Sequence, residues 1–230
     1  MLRLVFCDVD GTLLPRGDTA LSPEILDTLR RLTDRGITVA IASGRPYTQL
    51  RALFGALSHR LVFICLDGAL TRRHNFILHK RPLPKQAALA LLNRFPDAAV
   101  HGRETVYVMG GAPVNGRAVS TPNEIGEDFL KLELYTNRRP EPNPNYRVAF
   151  SEPGLTELVA PCANKGNAAA KLMEKLGITP NQAVAFGDGD NDVELLSTVG
   201  HPYRMRGTLP NSDMPETDSV VTTLRELFHL

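Results

Sequence analysis

Apolar and polar positions along the chain fall into two textures. In the first, short unbroken apolar runs alternate with stretches of helical periodicity. The run beginning at Val5 ends in Asp8-Val9-Asp10-Gly11-Thr12-Leu13-Leu14, residues 37–42 lead into Ser43-Gly44-Arg45-Pro46, and residues 61–65 lead to Asp67-Gly68-Ala69. Residues 183–186 lead likewise into Gly187-Asp188-Gly189-Asp190-Asn191-Asp192, which opens a helix. Runs of this length bounded by turn formers read as strands buried on both faces. Between them, Ser22-Pro23-Glu24 opens a helix with Ser as N-cap and Pro at its first position. Ile25, Leu26, Leu29 and Leu32 form its stripe and Gly36 ends it. A second helix runs from Pro46 to about Leu57, and a third, capped by Asn164, carries Ala168, Ala169, Leu172, Met173 and Leu176 to Gly177. Val220-Val221 reads as a last short strand before a helix from about Leu224.

The second texture fills the middle third. Residues 84–95 suit a helix, and 98–101 and 105–109 read as short strands. Residues 113–126 are turn-rich, and 138–145 form a proline-bearing loop. From 129 to 136, Leu130, Leu132 and Leu134 alternate with Lys131, Glu133 and Tyr135, the pattern of a strand with one wet face. Residues 146–150 and 156–159 supply two further strands.

Strand and helix alternating in this way predict an α/β fold, a Rossmann-like parallel sheet built by right-handed crossovers. The core is discontinuous, residues 1–80 and 161–230, with an α+β module at 81–160 inserted between its halves. With 230 residues at 43% hydrophobic, the chain can bury such a core. A net charge of +1 gives no field for nucleic acid. Asp8 arrives too early for a secretory apolar segment and no apolar run reaches a membrane span, so a cytoplasmic protein without membrane attachment is expected. Cys7, Cys65 and Cys162 lack metal or disulfide spacing, and Cys7 and Cys65 read as packing residues.

Chemistry gathers where core strands end, which is where open α/β sheets place their sites. Asp8 and Asp10 lie two residues apart, and Gly11 permits a sharp turn that re-aims the second acid. Asp8, Asp10 and Asp188 are hard oxygen donors of the kind Mg²⁺ takes. Acids pressed together raise one another's pKa, so a divalent cation and the Lys165 ammonium would keep the attacking carboxylate ionised. Ser43 and the amides around Gly44 suit a phosphate at a helix start.

Asp8-Val9-Asp10-Gly11-Thr12-Leu13-Leu14, Ser43-Gly44-Arg45, Lys165-Gly166 and Gly187-Asp188-Gly189-Asp190-Asn191-Asp192 resemble, in order, the four motifs of the haloacid dehalogenase (HAD) superfamily. The insertion between the second and third motifs stands where the Cof-type, or IIB, branch carries its α+β cap of C2B type. Two segments depart from that branch. Asp67-Gly68-Ala69 stands where Asn-Gly-Ala is usual, and Met205-Arg206-Gly207 follows the late Met-Gly-Asn-Ala segment only loosely.

The resemblance implies phosphoryl transfer. Asp8 would be the nucleophile, forming an aspartyl-phosphate, and Asp10 the general acid and base. Lys165 and Ser43 would hold the phosphoryl oxygens, with Thr12, Gly44 and Asn191 completing the phosphate site. Mg²⁺ would bind Asp8, the Asp10 backbone carbonyl and Asp188, with Asp192 in or behind that set. An acid at Asp10 favours phosphatases and phosphomutases over dehalogenases. The expected function is a Mg²⁺-dependent phosphatase of small phosphorylated metabolites such as sugar phosphates. The alternatives are a phosphomutase or phosphotransferase of the phosphomannomutase-like type, and a non-catalytic phospho-ligand binder.

Outside the motifs, Arg45 reads as a salt-bridge partner within the core and stays out of the catalytic set. Asp190 reads as a solvated helix-start acid, and Arg72-Arg73-His74 and Arg138-Arg139 as solvated faces. His101, Arg103, Glu104, Lys131 and Tyr135 are the candidates in the cap for reading the leaving group.

Overall fold

The computed structural model describes residues 1–210 and 212–230. Its first half runs β1 (Leu4–Cys7), α1 (Pro23–Asp34), β2 (Thr38–Ala42), α2 (Tyr47–Phe54), β3 (Val62–Cys65), β4 (Leu70–Arg73) and β5 (Phe76–Lys80). There follow α3 (Lys85–Arg94), β6 (Ala98–His101), β7 (Val106–Met109), β8 (Arg117–Ala118), β9 (Lys131–Leu134), β10 (Arg147–Glu152) and β11 (Leu155–Val159). The chain closes with α4 (Lys165–Leu176), β12 (Ala183–Gly187), α5 (Val193–Thr198), β13 (His201–Met205), β14 (Glu216–Thr217) and α6 (Val220–Phe228). Two compact units result, Met1–His79 with Asn164–Leu230, and Lys80–Ala163.

The core unit is built on a sheet of order β14-β13-β12-β1-β2-β3-β4-β5. From β14 to β3 neighbouring strands are parallel, and β4 turns back antiparallel to β3. The chain moves outward from β1 through β2 and β3, then returns to β12 on the other side of β1. That reversal is the switch point at which α/β sheets bind ligands, beyond the carboxyl ends of the strands. Asp8 follows β1 and Asp188 follows β12, and the ladder holds them level, Cys7 opposite Phe186 and the Asp8 amide donating to the Phe186 carbonyl at 2.9 Å.

One face of the sheet, with Leu4, Phe6, Ala40, Ala42, Val62 and Ile64, packs against Ala168, Leu172 and Met173 of α4 and Leu195 and Leu196 of α5. Phe6 is fully buried, and burial of such a side chain contributes about 1.5–3 kcal/mol. The helix ends follow their caps. Ser22 Oγ accepts from the Ile25 amide at 3.2 Å, Asn164 Oδ1 from the Asn167 amide at 2.6 Å, and Gly177 closes α4 in the left-handed region at φ +61°.

Several expectations need correction. Val220-Val221 is no strand but the first turn of α6, because Ser219 Oγ caps the Thr222 amide at 3.2 Å. The pair β4–β5, the polar strand β13 and the edge strand β14 carried too little apolar alternation to be read. Arg72 is no solvated residue either: it is 3% exposed, its guanidinium lies 3.8 Å from the centre of the Tyr47 ring, and Nε donates to the His74 carbonyl.

The inserted unit has a sheet of order β10-β11-β9-β6-β7-β8, antiparallel except between β7 and β8. Ala88, Leu91 and Leu92 of α3 cover the face bearing Ala98, Val100, Leu132, Leu134 and Leu158. The opposite face is not the wet one that alternation predicts. Lys131 is 2% exposed and pairs with Glu157 at 2.5 Å, and Glu133 accepts from His101 at 2.8 Å and from the Tyr135 hydroxyl at 2.5 Å. Directly across the strands Glu157 faces Glu133 and His101 faces Lys131, and the pairs form on the diagonals, Lys131 with Glu157 and His101 with Glu133, which is what lets these groups leave water.

Candidate active site

After β1 the backbone folds back on itself, the Thr12 and Leu14 amides donating to the Val9 carbonyl. Gly11 allows the turn at φ +91°, and a Cβ there would stand 2.1 Å from Asp188 Oδ2. Only glycine lets the β1 loop approach the β12 acid this closely. Asp8 is buried at the strand end, whereas the Asp10 side chain is 53% exposed.

Lys165 opens α4, and Gly166 brings that helix against the Glu194 carbonyl, 2.4 Å from where a Cβ would be. The Lys165 ammonium, 2% exposed, donates to Asp8 Oδ1 and to Asp192 Oδ1, both at 2.7 Å. Asp192 Oδ2 accepts from the Asp188 and Gly189 amides at 3.1 and 3.0 Å. Both Asp192 oxygens are therefore engaged with N–H donors, and its carboxylate ties Lys165 to the backbone that carries Asp188. Asp188 takes a hydrogen bond from Thr12 Oγ1 at 3.4 Å and from Arg16 at 3.3 Å.

Carboxylate oxygens of Asp8, Asp188 and Asp192 lie within 4.8 Å of one another. Burial pushes the Asp8 carboxyl up to about 7, against the pull of Lys165 and with a further push from Asp192. Burial also raises Asp188, with Arg16 opposing. Lys165 is raised, since the attraction of Asp8 and Asp192 exceeds the cost of burying its charge. Three acids thus face one buried ammonium, an excess of negative charge that a hard divalent cation would balance. The donor chemistry fits such an ion: Asp8 and Asp188 supply oxygens, while Asp192 is occupied holding Lys165 and the backbone.

Asp10 stands apart from these three. Arg45 grips it with two bonds, Nε to Oδ2 at 2.9 Å and Nη2 to Oδ1 at 2.5 Å. Ser43 is buried and accepts from the Arg45 amide at 3.2 Å, and Gly44 follows it at the loop leading to α2. Asn191 is exposed and donates to Asp67 Oδ1 at 3.4 Å. Asp190 is exposed. The residues sequence reasoning left aside are Arg45, Asp67 and Arg16. Arg45 carried a signal, a cation two residues after Ser43 in a segment bound to meet the β1 loop, whereas Asp67 stood out only as a departure from a pattern. Cys7 and Cys65 are buried with their thiols pushed up, which removes them as nucleophiles.

A sequence model of the haloacid dehalogenase-like hydrolases matches residues 5–111 and 122–211. The chain belongs to this family. It is 31% identical to an HMP-PP phosphatase of Enterobacter sp. (strain 638), over all of this chain and 89% of that protein. Among solved structures it is similar to a haloacid dehalogenase-like hydrolase from B. subtilis, with TM-score 0.79 and 20% identity over 100% of both chains. A subclass IIB sugar phosphatase of the HAD superfamily matches with TM-score 0.78 and 16% identity, covering 99% of this chain and 100% of that one. These two likenesses speak for the fold, a HAD core with an inserted α+β cap. Family membership and the phosphatase relative together make this HAD hydrolase a Cof-type phosphatase. Among the described residues, no helix is long and apolar enough to cross a membrane.

Proposed function

We propose that this HAD phosphatase hydrolyses small phosphomonoesters, sugar phosphates or related metabolites, through an aspartyl-phosphate on Asp8 with Mg²⁺ as cofactor. The observation that carries the reading is the buried Lys165 ammonium 2.7 Å from the Asp8 carboxylate, at the switch point of the sheet. An anion cannot be attacked by an unshielded carboxylate, and Lys165 supplies the shield on the protein's side.

In the first half-reaction Asp8 attacks phosphorus in line, the bond to the leaving oxygen breaks, and Asp10 gives that oxygen a proton. Water then attacks the aspartyl-phosphate, Asp10 takes its proton, and inorganic phosphate leaves with Asp8 regenerated. Lys165, Ser43, Thr12, the Gly44 amide and Asn191 are assigned to the phosphoryl oxygens, where donors are most effective away from bulk water. Asp8, Asp188 and the Asp10 carbonyl would hold Mg²⁺, which supplies charge neutralisation as the transition state spreads its charge. Asp192 is assigned to positioning Lys165.

The test is release of inorganic phosphate from p-nitrophenyl phosphate and from a panel of sugar phosphates and other phosphorylated alcohols, with Mg²⁺. Turnover in the wild type and its loss in Asp8→Asn is the expected result. No turnover with any ester, or an Asp8→Asn rate equal to wild type, would sink the reading.

A further inference from the structure

The segment after β3 carries three successive residues of positive φ, Leu66 and Asp67 at +53° and Gly68 at +90°. Two of the three are not glycine, so the surroundings must hold them there. The turn is stitched to the phosphate loop by backbone bonds, the Leu66 amide donating to the Arg45 carbonyl and the Asp67 amide to the Ser43 carbonyl, each at 3.2 Å. It also abuts the start of α4, since a Cβ on Gly68 would stand 2.2 Å from the Asn164 carbonyl. What this held turn delivers is a carboxylate. Asp67 is 3% exposed, both its oxygens lie 3.1 Å from where a Gly44 Cβ would be, and Oδ1 accepts from Asn191 Nδ2 at 3.4 Å.

An ionised carboxylate accepts and never donates, so it can meet only the NH₂ side of the Asn191 amide. Asn191 is exposed, and its amide nitrogen meets the buried Asp67 carboxylate. We infer that Asp67 is a positioning residue for the phosphoryl site: it sets the direction of the Asn191 amide, so that the amide's other N–H faces the phosphate. The inference rests on the phosphatase reading and names what orients its anion site. An asparagine at this place could meet Asn191 with either end of its amide; the carboxylate removes that choice.

The experiment measures kcat, KM for p-nitrophenyl phosphate and inhibition by inorganic phosphate in Asp67→Ala, Asn191→Ala, the double variant and Asp67→Asn, with thermal melts alongside. Removal of an orienting partner should raise KM and the phosphate inhibition constant about tenfold in either alanine variant, with a smaller change in kcat. The double variant should be no worse than the singles, because both act through one contact. Asp67→Asn keeps an acceptor but lets either end of its amide face Asn191, so it should fall between wild type and Asp67→Ala. If the carboxylate acts only as a repelling charge, Asp67→Ala and Asp67→Asn will both bind phosphate more tightly, and the inference is overturned. It is equally overturned by unchanged constants in Asp67→Ala or by multiplying effects in the double variant. Should Asp67→Ala not melt cooperatively, Asp67→Asn and Asp67→Asn/Asn191→Ala decide. Asp67→Asn must bind phosphate more weakly than wild type, and the double variant no more weakly than Asn191→Ala; unchanged or tighter binding in Asp67→Asn overturns the assignment. Wild-type activity with unmoved variants defeats this inference alone; a wild type that neither turns over nor binds phosphate defeats the function with it.

Discussion

The Arg45 guanidinium clasps the Asp10 carboxylate with two bonds, at 2.5 and 2.9 Å, and so holds the proposed acid and base by both oxygens. Fork-to-fork geometry fixes the plane of the carboxylate as well as its distance, which a lysine cannot do. Arg45→Lys should therefore lower kcat about tenfold or more with esters of poor leaving groups, where proton donation matters. p-Nitrophenyl phosphate departs without needing a proton and should lose much less. Steady-state rates over a series of esters with graded leaving-group pKa check this, and an equal loss across the series would show that Arg45 does not act through Asp10.

Lys165 joins Asp8 and Asp192 in one buried unit, so its removal has two separable effects. Lys165→Met leaves two carboxylates without their counter-charge, a loss on the order of 3–5 kcal/mol of stability for a broken buried pair. It should also cost about 10²–10³ in kcat, the loss expected when one electrostatic donor is removed. Adding Asp192→Asn takes away one of the stranded charges. The double variant should recover part of the stability in a urea melt and none of the rate. Recovery of rate would mean that Lys165 matters to the fold and not to the phosphoryl group.

How far the amino-acid sequence disclosed this site depends on which kind of residue is asked about. Asp8 and Asp188 stand at the ends of strongly apolar strands, which marks them, whereas Lys165 at the start of a capped helix takes its role from the resemblance to the HAD motifs. Their convergence follows from the sheet order, because β1 and β12 are neighbours and α4 packs behind them. The motif places Asp192 in or behind the metal set, and which of its oxygens hold Lys165 and two amides depends on side-chain rotamers no pattern carries. Arg72 and Lys131 misled for the opposite reason. Charged residues in a basic run or on the polar side of an alternating stretch are counted as solvated, and only the ring of Tyr47 or the carboxylate of Glu157 beside them shows why they are buried.

A divalent cation should be visible in stability as well as in rate. The Asp8, Asp188 and Asp192 cluster carries more negative charge than Lys165 balances, and an ion bound only by the folded state stabilises it by mass action. With Mg²⁺ at about a hundred times its dissociation constant, the gain is about 2.7 kcal/mol. Thermal melts across a Mg²⁺ titration should show a rising midpoint that chelation reverses. Asp188→Asn should abolish the shift, whereas Asp10→Asn should keep most of it because only its backbone carbonyl is assigned to the ion. A midpoint indifferent to Mg²⁺ would remove the cluster from consideration as a metal site.

Gly11 offers a test of backbone geometry. Any side chain there would meet the Asp188 carboxylate at 2.1 Å, and at φ +91° a substituted residue is strained whatever space it finds. Gly11→Ala should cost at least about 1 kcal/mol of stability and more in activity, since the β1 loop must move away from Asp188. Gly17, also at positive φ with nothing near its Cβ position, is the control. Gly17→Ala should share the backbone penalty and keep its rate. Equal activity losses at the two positions would show that the approach to Asp188 is not what Gly11 provides.

The buried ion pairs of the inserted unit make its stability depend on pH. Burial alone would raise the Glu133 carboxyl, but hydrogen bonds from His101 and Tyr135 and the charges of His101 and Lys131 outweigh it and hold it at about 2, below its ordinary 4.5. A carboxyl depressed in the folded state contributes stability in full above its unfolded pKa and loses it as pH falls through the folded value. Glu133 should therefore contribute on the order of 3 kcal/mol at neutral pH, fading between about 4.5 and 2. Glu133→Gln should be destabilised by a comparable amount at pH 7, with the deficit shrinking steadily on acidification. Urea melts of both proteins at several pH values, with hydrogen exchange at β9 and β11 to place the loss in this unit, measure it. A deficit that stays constant from pH 7 to 3 would mean that Glu133 acts by shape and not by charge.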